Sequence, residues 1–438
     1  MKHTVLRHHE LRKALLAQCQ LSDTHPVHLQ VPIAEPSDLI LWLQAQPHRP
    51  RLFWTDRRRE HRVAAAGEVR TWPDLASAQA AIKDCEPNLR VYGGWAFNPR
   101  RVSHQAPWQA WPTQHFFLPR WELRQTPENK RYLCLNLWGE LSREAEINLA
   151  LEQLVLPEHQ EAPLSPSLML EALHDTPNLQ GWHSMLAQAK GHFESGHLQK
   201  LVLSKVSCSK VPGLNLHLMQ RLLDRQRQAY HFWFEPFENS VLWGASPERL
   251  YTREGRIVKT EALAGTRPCP ENPDQALAYR DALLHSPKEQ QENERVQEHI
   301  EKRLGPLSSS FWMEPLTVIQ AGPVQHLYRQ IKAEIHPDIQ DVQLVKTLHP
   351  TPAVSGYPSH LAIDALEAIE PQDRGWYTGA LGWLSSAAAE WTVVLRVALW
   401  QEECMYFYTG AGIMPDSDPD AEWEELEAKL LSLKTLFY

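Results

Sequence analysis

Lys200-Leu201-Val202-Leu203 is a short apolar run of the kind that forms a strand, and Tyr230-His231-Phe232-Trp233-Phe234 is a second, aromatic one. Between residues 273 and 304 the texture changes to Ala, Leu, Glu, Gln and Arg without Gly, which predicts helix interrupted near Pro287. Residues 391–400 read as one further strand. Asp418-Pro419 then supplies an N-cap and a proline at the first helical position, so a helix is expected from there almost to Leu436. Strands and helices interleave without a βαβ rhythm, and several strands alternate faces. The fold class is therefore α+β rather than a doubly wound sheet.

Upstream, Leu52-Phe53-Trp54 reads as a short strand inside an Arg-, His- and Pro-rich loop, and Leu149-Ala150-Leu151-Glu152-Gln153-Leu154 as part of a helix. Residues 157–167 carry three prolines among polar residues and read as a linker. The expected division is residues 1–175 as an N-terminal α+β region and 176–438 as a second, denser region.

The 438 residues carry a formal charge of −9, with 43% hydrophobic and 22% charged residues. That balance excludes a disordered chain, and it argues against nucleic-acid or anionic-membrane binding, both of which need a basic surface. A small anionic substrate answers to a local pocket and stays open. Cys19, Cys85, Cys134, Cys208, Cys269 and Cys404 form no C-x-x-C pair and read as scattered reduced thiols. No apolar run is long enough to span a bilayer, and the first ten residues lack a signal-peptide core, so a cytoplasmic protein is expected. Monomer and homodimer are both open. G-x-G-x-x-G, Walker A, H-E-x-x-H and G-x-S-x-G are absent.

Several carboxylates draw notice. Glu422, Glu425 and Lys429 share one stripe of the last helix, beside an apolar stripe of Trp423, Leu426, Leu430 and Leu433. They line a cleft, or they mark a solvated edge where Glu425 and Lys429 pair for a few tenths of a kcal/mol. Glu292 likewise either faces a site or pairs with Lys288. Glu248 follows the turn signal Ser246-Pro247, with Arg249 as a possible plain partner. In Thr260-Glu261-Ala262-Leu263-Ala264-Gly265-Thr266 the glycine admits a ligand or turns the chain. Gly410-Ala411-Gly412 reads as a turn or as a nest of N–H groups.

Taken in order, these blocks resemble the chorismate-utilising enzyme family. The others in the series are Lys288-Glu289-Gln290-Gln291-Glu292-Asn293, Val324-Gln325-His326-Leu327, His349-Pro350-Thr351-Pro352-Ala353-Val354-Ser355-Gly356 and Arg374-Gly375-Trp376-Tyr377-Thr378-Gly379-Ala380. The match runs from about residue 181 to the C-terminus, and its Thr260–Thr266 block looks most like the menaquinone-type isochorismate synthases. The resemblance implies a fold like that of the anthranilate synthase large subunit, with large, mostly antiparallel sheets, helices outside and a deep cleft. It implies Mg²⁺-dependent conversion of chorismate to isochorismate, with water added at C2 and the C4 hydroxyl lost. Lys200 is the matching base, which must be neutral although a free lysine has a pKa of about 10.4. Glu248 is the matching acid, which burial should keep protonated. Glu292 and Glu425 match the Mg²⁺ ligands, with Glu422 as a helper. Arg396 matches the grip on the enolpyruvyl carboxylate, where the residues alone suggest a buried structural pair. Tyr377, Gly412, Lys429 and Gly265 are further substrate-binding candidates, while His326 receives no step.

Lys200 and Lys205 have opposite strand parity, so only one should face the cleft. Lys205, Ser355 and Met414-Pro415-Asp416 depart from the usual family pattern without removing a proposed catalytic group. A salicylate synthase, which goes on to eliminate pyruvate, uses the same residues. An aminating subunit fits poorly, because Ala262-Leu263 stands where those relatives favour Pro-Ile. A non-catalytic binding paralogue would have lost one of Lys200, Glu248, Glu292 and Glu425, and all are present.

Overall fold

The computed structural model describes residues 8–20, 26–33, 38–139, 141–157, 170–270, 272–321 and 324–437. All but the first residue of the proposed linker lie outside that set.

The first 176 residues supply α1 (His8–Gln20), β1 (Val27–Ile33), α2 (Leu39–Ala45), β2 (Arg51–Thr55), β3 (Arg62–Trp72), α3 (Leu75–Ile82), β4 (Val91–Trp95), β5 (Gln114–Gln125), β6 (Arg131–Leu137), α4 (Arg143–Gln153) and β7 (His174–Thr176). Then come α5 (Leu179–Glu194), β8 (Lys200–Lys210), α6 (His217–Arg225), β9 (Tyr230–Phe237), β10 (Ser240–Ser246), β11 (Arg249–Glu254), β12 (Ile257–Pro268), α7 (Pro273–Leu284) and α8 (Pro287–Leu304). They are followed by β13 (Ser308–Met313), β14 (Thr317–Ala321), β15 (Val324–Ile335), α9 (Asp341–Leu348), β16 (Gly356–Tyr357) and α10 (Ser359–Ile369). The chain closes with β17 (Ala380–Leu384), β18 (Ala388–Val393), β19 (Val397–Gln401), β20 (Cys404–Ile413) and α11 (Pro419–Lys434).

Among the described residues every ladder is antiparallel. One layer runs β1-β6-β5-β3-β2-β9-β10-β19-β20-β8, with β7 and β16 along the far edge of β8. The other runs β5-β4-β17-β18-β11-β12-β15, edged by β13 and β14. Strand β5 belongs to both, pairing with β4 through its first half and with β6 through its second. Segments on either side of residue 175 thus share ladders, at β2–β9 and at β4–β17.

The period of two in β9 explains the layering. Tyr230, Phe232 and Phe234 face an aromatic core that also takes Trp54, Tyr92, Phe117, Leu381 and Trp383 from both layers, while Trp233 packs with the helices outside. Phe117 and Phe234 stack at 6.1 Å. On the outer faces, α1, α2, α4 and α6 cover one layer, α3, α8 and α9 the other, and α5, α10 and α11 close over β8 and β20.

Two readings need correction. Residues 391–400 are not one strand: β18 stops at Val393 and β19 starts at Val397, because Arg396 adopts φ +46°, which no extended strand tolerates. Gly410-Ala411-Gly412 is neither turn nor nest, since it lies inside β20, paired to Ser204, Leu203 and Val202 of β8.

A buried ion pair anchors the layer end that carries β8. Arg374 and Glu370 each have 4% side-chain exposure. The guanidinium also donates to the carbonyls of Val202 and Val354, while Glu370 accepts from the amide and hydroxyl of Ser204 at 2.8 Å. In Glu370→Ala the guanidinium is left buried and unpaired. We expect a loss of about 3–5 kcal/mol, read as a lower urea midpoint at unchanged m.

Candidate active site

A cavity of about 830 Å³ opens where β8, β20, β12, α8 and α11 meet. Each of its walls is set by local chemistry. At β12 the register shifts between Leu263 and Thr266, with Gly265 at φ +84°. Such a bulge frees backbone carbonyls from the ladder. Buried Asn293 of α8 takes them up, donating to the carbonyls of Ala262, Ala264 and Leu327 at 3.2–3.3 Å. That docking carries its neighbour Glu292 to the cavity. Glu289, one turn earlier, accepts from the Thr266 amide at 3.3 Å and lines the same wall. The sequence reading missed it, although its spacing of three from Glu292 on one helix face was a usable signal.

Lys200 begins β8 and turns into the cavity, where its Nζ lies 3.0 Å from Glu292 Oε1. The expected Lys288–Glu292 pair is thus replaced by a pair across elements. Lys205 points the other way, as its parity requires, and is buried with Glu427, Asp175 and the ring of Trp423. Gly412 makes room for Lys200: a Cβ there would lie 2.9 Å from Lys200 Cε.

Glu248 stands just past β10. Its backbone carbonyl accepts from Thr392 Oγ1 at 2.7 Å and from the Val393 amide at 3.1 Å, and its carboxyl accepts from Thr351 Oγ1 at 3.1 Å. Burial is the main cause that raises its pKa to about 7, with the Glu261 charge adding to it. Arg249 is not its partner; that guanidinium bonds Tyr230 at 2.9 Å and approaches Glu261.

Arg396 owes its direction to its left-handed backbone. Its carbonyl accepts from the Ala245 amide, in a gap that Gly244 leaves by lacking a side chain. Burial lowers its pKa, and among the described residues no acceptor bonds its guanidinium, so the structural pair suggested by its apolar setting is not formed. The fork is left free for an anion. Tyr377 stacks on Tyr408, and Lys429 bridges Glu425 at 2.6 Å and the Gly410 carbonyl at 2.7 Å. His326 bonds Thr266 Oγ1 at 2.8 Å, and burial holds it neutral, with its pKa lowered to about 4.

Glu422 accepts from Ser417 at 2.7 Å, and burial raises its carboxyl above the usual range. Glu292, Glu422 and Glu425 share the cavity, but among the described residues no three of His, Cys, Asp and Glu form a ready-made metal cluster. Mg²⁺ does not need one, since it takes one or two protein carboxylates with waters and an anionic substrate. The donors fit it in kind, being hard carboxylate oxygens.

No described helix is long and apolar enough to cross a membrane. The described cysteines are all free thiols.

A family model described as chorismate binding enzyme matches residues 11–437. The chain is 32% identical over 432 residues to isochorismate synthase MenF of Haemophilus influenzae, covering 98% of this chain and 95% of that protein. It is 31% identical over 425 residues to the Escherichia coli MenF, covering 94% and 93%. The solved structure of MenF, the menaquinone-specific isochorismate synthase from Escherichia coli, is similar with a TM-score of 0.87 at 29% identity, covering 98% of this chain and all of that one. Anthranilate synthase component I from Streptococcus pneumoniae, at 21% identity and a TM-score of 0.73, shares the fold over 99% of this chain and all of that one. Chorismate-binding enzymes of this kind are generally metal-dependent. With a family model spanning nearly its whole length and relatives matched end to end, the chain belongs to the chorismate-binding enzyme family.

Proposed function

We propose that the protein is an isochorismate synthase that converts chorismate to isochorismate with Mg²⁺, for menaquinone biosynthesis, and that residues 176–438 carry the reaction. The observation that supports it most is an amine and a carboxyl held near its neutral form, Lys200 and Glu248, lining one cavity. Lys200 takes a proton from the water that adds at C2. Glu248 gives its proton to the departing C4 hydroxyl, which a carboxyl with a pKa of about 7 can do near neutral pH. Arg396 grips the enolpyruvyl carboxylate with a fork that no described protein group occupies. Tyr377, Lys429 and the backbone at Gly265 and Gly412 orient the carboxylates. Glu292 and Glu425 would hold Mg²⁺, with Glu422 beside them, and the ion supplies Lewis-acid polarisation of the ring carboxylate when bound.

Incubation with chorismate and Mg²⁺, followed by chromatography, should yield isochorismate alone, and a chelator should stop it. Salicylate with pyruvate would instead identify a salicylate synthase. Lys200→Ala and Glu248→Gln should keep the fold and lose about 10²–10⁴-fold in kcat. Because Glu248 must be protonated, kcat/KM should fall as pH rises through about 7. A pH profile flat to 9 would remove Glu248 from the role. In Gly412→Ala the new methyl displaces the flexible tip of Lys200, so the melting temperature should hold while kcat drops about 10²-fold.

A further inference from the structure

The mechanism above leaves unused a fully buried carboxylate behind the general acid. Glu261, on β12, has 0% side-chain exposure. Its Oε1 accepts from the backbone N–H of Arg249, the residue after Glu248, at 3.1 Å. The Arg57 guanidinium grips both its oxygens, and Arg249 Nη1 lies 3.8 Å from Oε2. Arg57 follows β2 in the first third of the chain, and it reaches the site over the ring of Tyr230 at 5.6 Å. Glu248 and Glu261 also line one small internal pocket of about 20 Å³, together with Thr351 and His299.

We propose that Glu261, clamped by Arg57, is a positioning residue for the general acid: it fixes the chain at Arg249 and sets a negative charge behind Glu248 that favours the protonated carboxyl. The proposal rests on the isochorismate synthase reading for the use made of that proton. The geometry gives Glu261 both functions. Its backbone contact at Arg249 joins Thr392, Val393 and Thr351 in fixing Glu248. Arg57 and Arg249 both lie against the Glu261 carboxyl, so its charge sits paired beside Glu248 in the same small pocket. The charged and titratable groups that face Glu248 are Glu261 on β12, Arg57 from the β2–β3 turn, Lys200 on β8, Arg249 on β11 and His299 on α8. His299 is neutral near pH 7, its pKa lowered to about 4 mainly by burial. Arg57 and Lys200 pull the Glu248 proton off, and Glu261 opposes them. The first third of the chain therefore has a part in the chemistry: Arg57 holds Glu261 in place and moderates its charge.

The test is the alkaline limb of kcat/KM for chorismate. Glu261→Gln should move it down by about 1 pH unit, because Arg57 and Arg249 then act unopposed. Arg57→Gln, which removes the guanidinium's charge, should move it up, and the double variant should return it towards wild type. Single variants that lower kcat/KM without moving the limb, or that move it in the same direction, overturn the proposal. Infrared titration of the Glu248 carboxyl, identified by difference from Glu248→Gln in substrate-free protein, reads the same shifts without turnover. Absence of product from wild type would defeat the isochorismate synthase reading alone, and an unshifted titration would defeat this proposal alone. If Glu261→Gln fails to fold, Arg57→Gln decides: an unmoved Glu248 titration overturns the proposal.

Discussion

The buried Arg374–Glu370 pair fixes where the reactive end of the molecule lies. Two charges taken out of water must satisfy nearly all their hydrogen-bonding capacity or cost several kcal/mol. Here the demand is met by β8 at Val202 and Ser204, by the Val354 carbonyl and by the Thr378 hydroxyl. These groups come from three separate stretches of chain, and Val202, Val354 and Thr378 line the cavity. Satisfying one ion pair therefore sets the start of β8, where Lys200 sits, against the 351–356 segment that supplies Thr351 to Glu248. The register of β8 with β20 then places Gly412 opposite Val202 and clears the space that the Lys200 side chain needs.

The cavity that results is neither acidic nor basic as a whole. Two of its carboxylates are met by lysines, at Glu292–Lys200 and Glu425–Lys429, while among the described residues Arg396 stands without a counter-ion and Glu248 is close to neutral. A chain with a formal charge of −9 can thus offer a dianion a welcoming pocket, because field strength inside a cleft follows the nearest groups and the low-dielectric walls rather than the net count.

The strands at Lys200 and Tyr230, the helix pair broken before Pro287 and the N-cap at Asp418 were legible because each depends on local chemistry: apolar runs, a proline, a capping carboxylate. The spacing of Glu422, Glu425 and Lys429 put them on one face of α11 but left cleft and solvated edge open; all three line the cavity, and Glu425 and Lys429 also form the expected pair. What local pattern could not carry was the break at Arg396. An arginine amid Val394, Leu395 and Val397 looks like strand, and the left-handed backbone accompanies a long-range fit of its carbonyl against Gly244 and the Ala245 amide. Gly410-Ala411-Gly412 misled in the opposite sense, since its glycines serve neighbouring side chains, Tyr377 and Lys200, instead of a turn. Glu261 was quoted in a motif without a task, because Arg57 meets it from a distant part of the chain. The layered sandwich itself was reached through family resemblance, since the twenty described strands do not announce their partners.

The double membership of β5 has a consequence for how the gene can be cut. A chain restarted near residue 176 would leave β9 without β2 and β17 without β4, baring two rows of unsatisfied amides and carbonyls beside Phe232, Phe234 and Leu381. Such raw edges recruit strands from other molecules. Trimming would be expected to give sticky aggregates instead of a minimal enzyme, and chimaeras between relatives should exchange the two regions only with their matching edges.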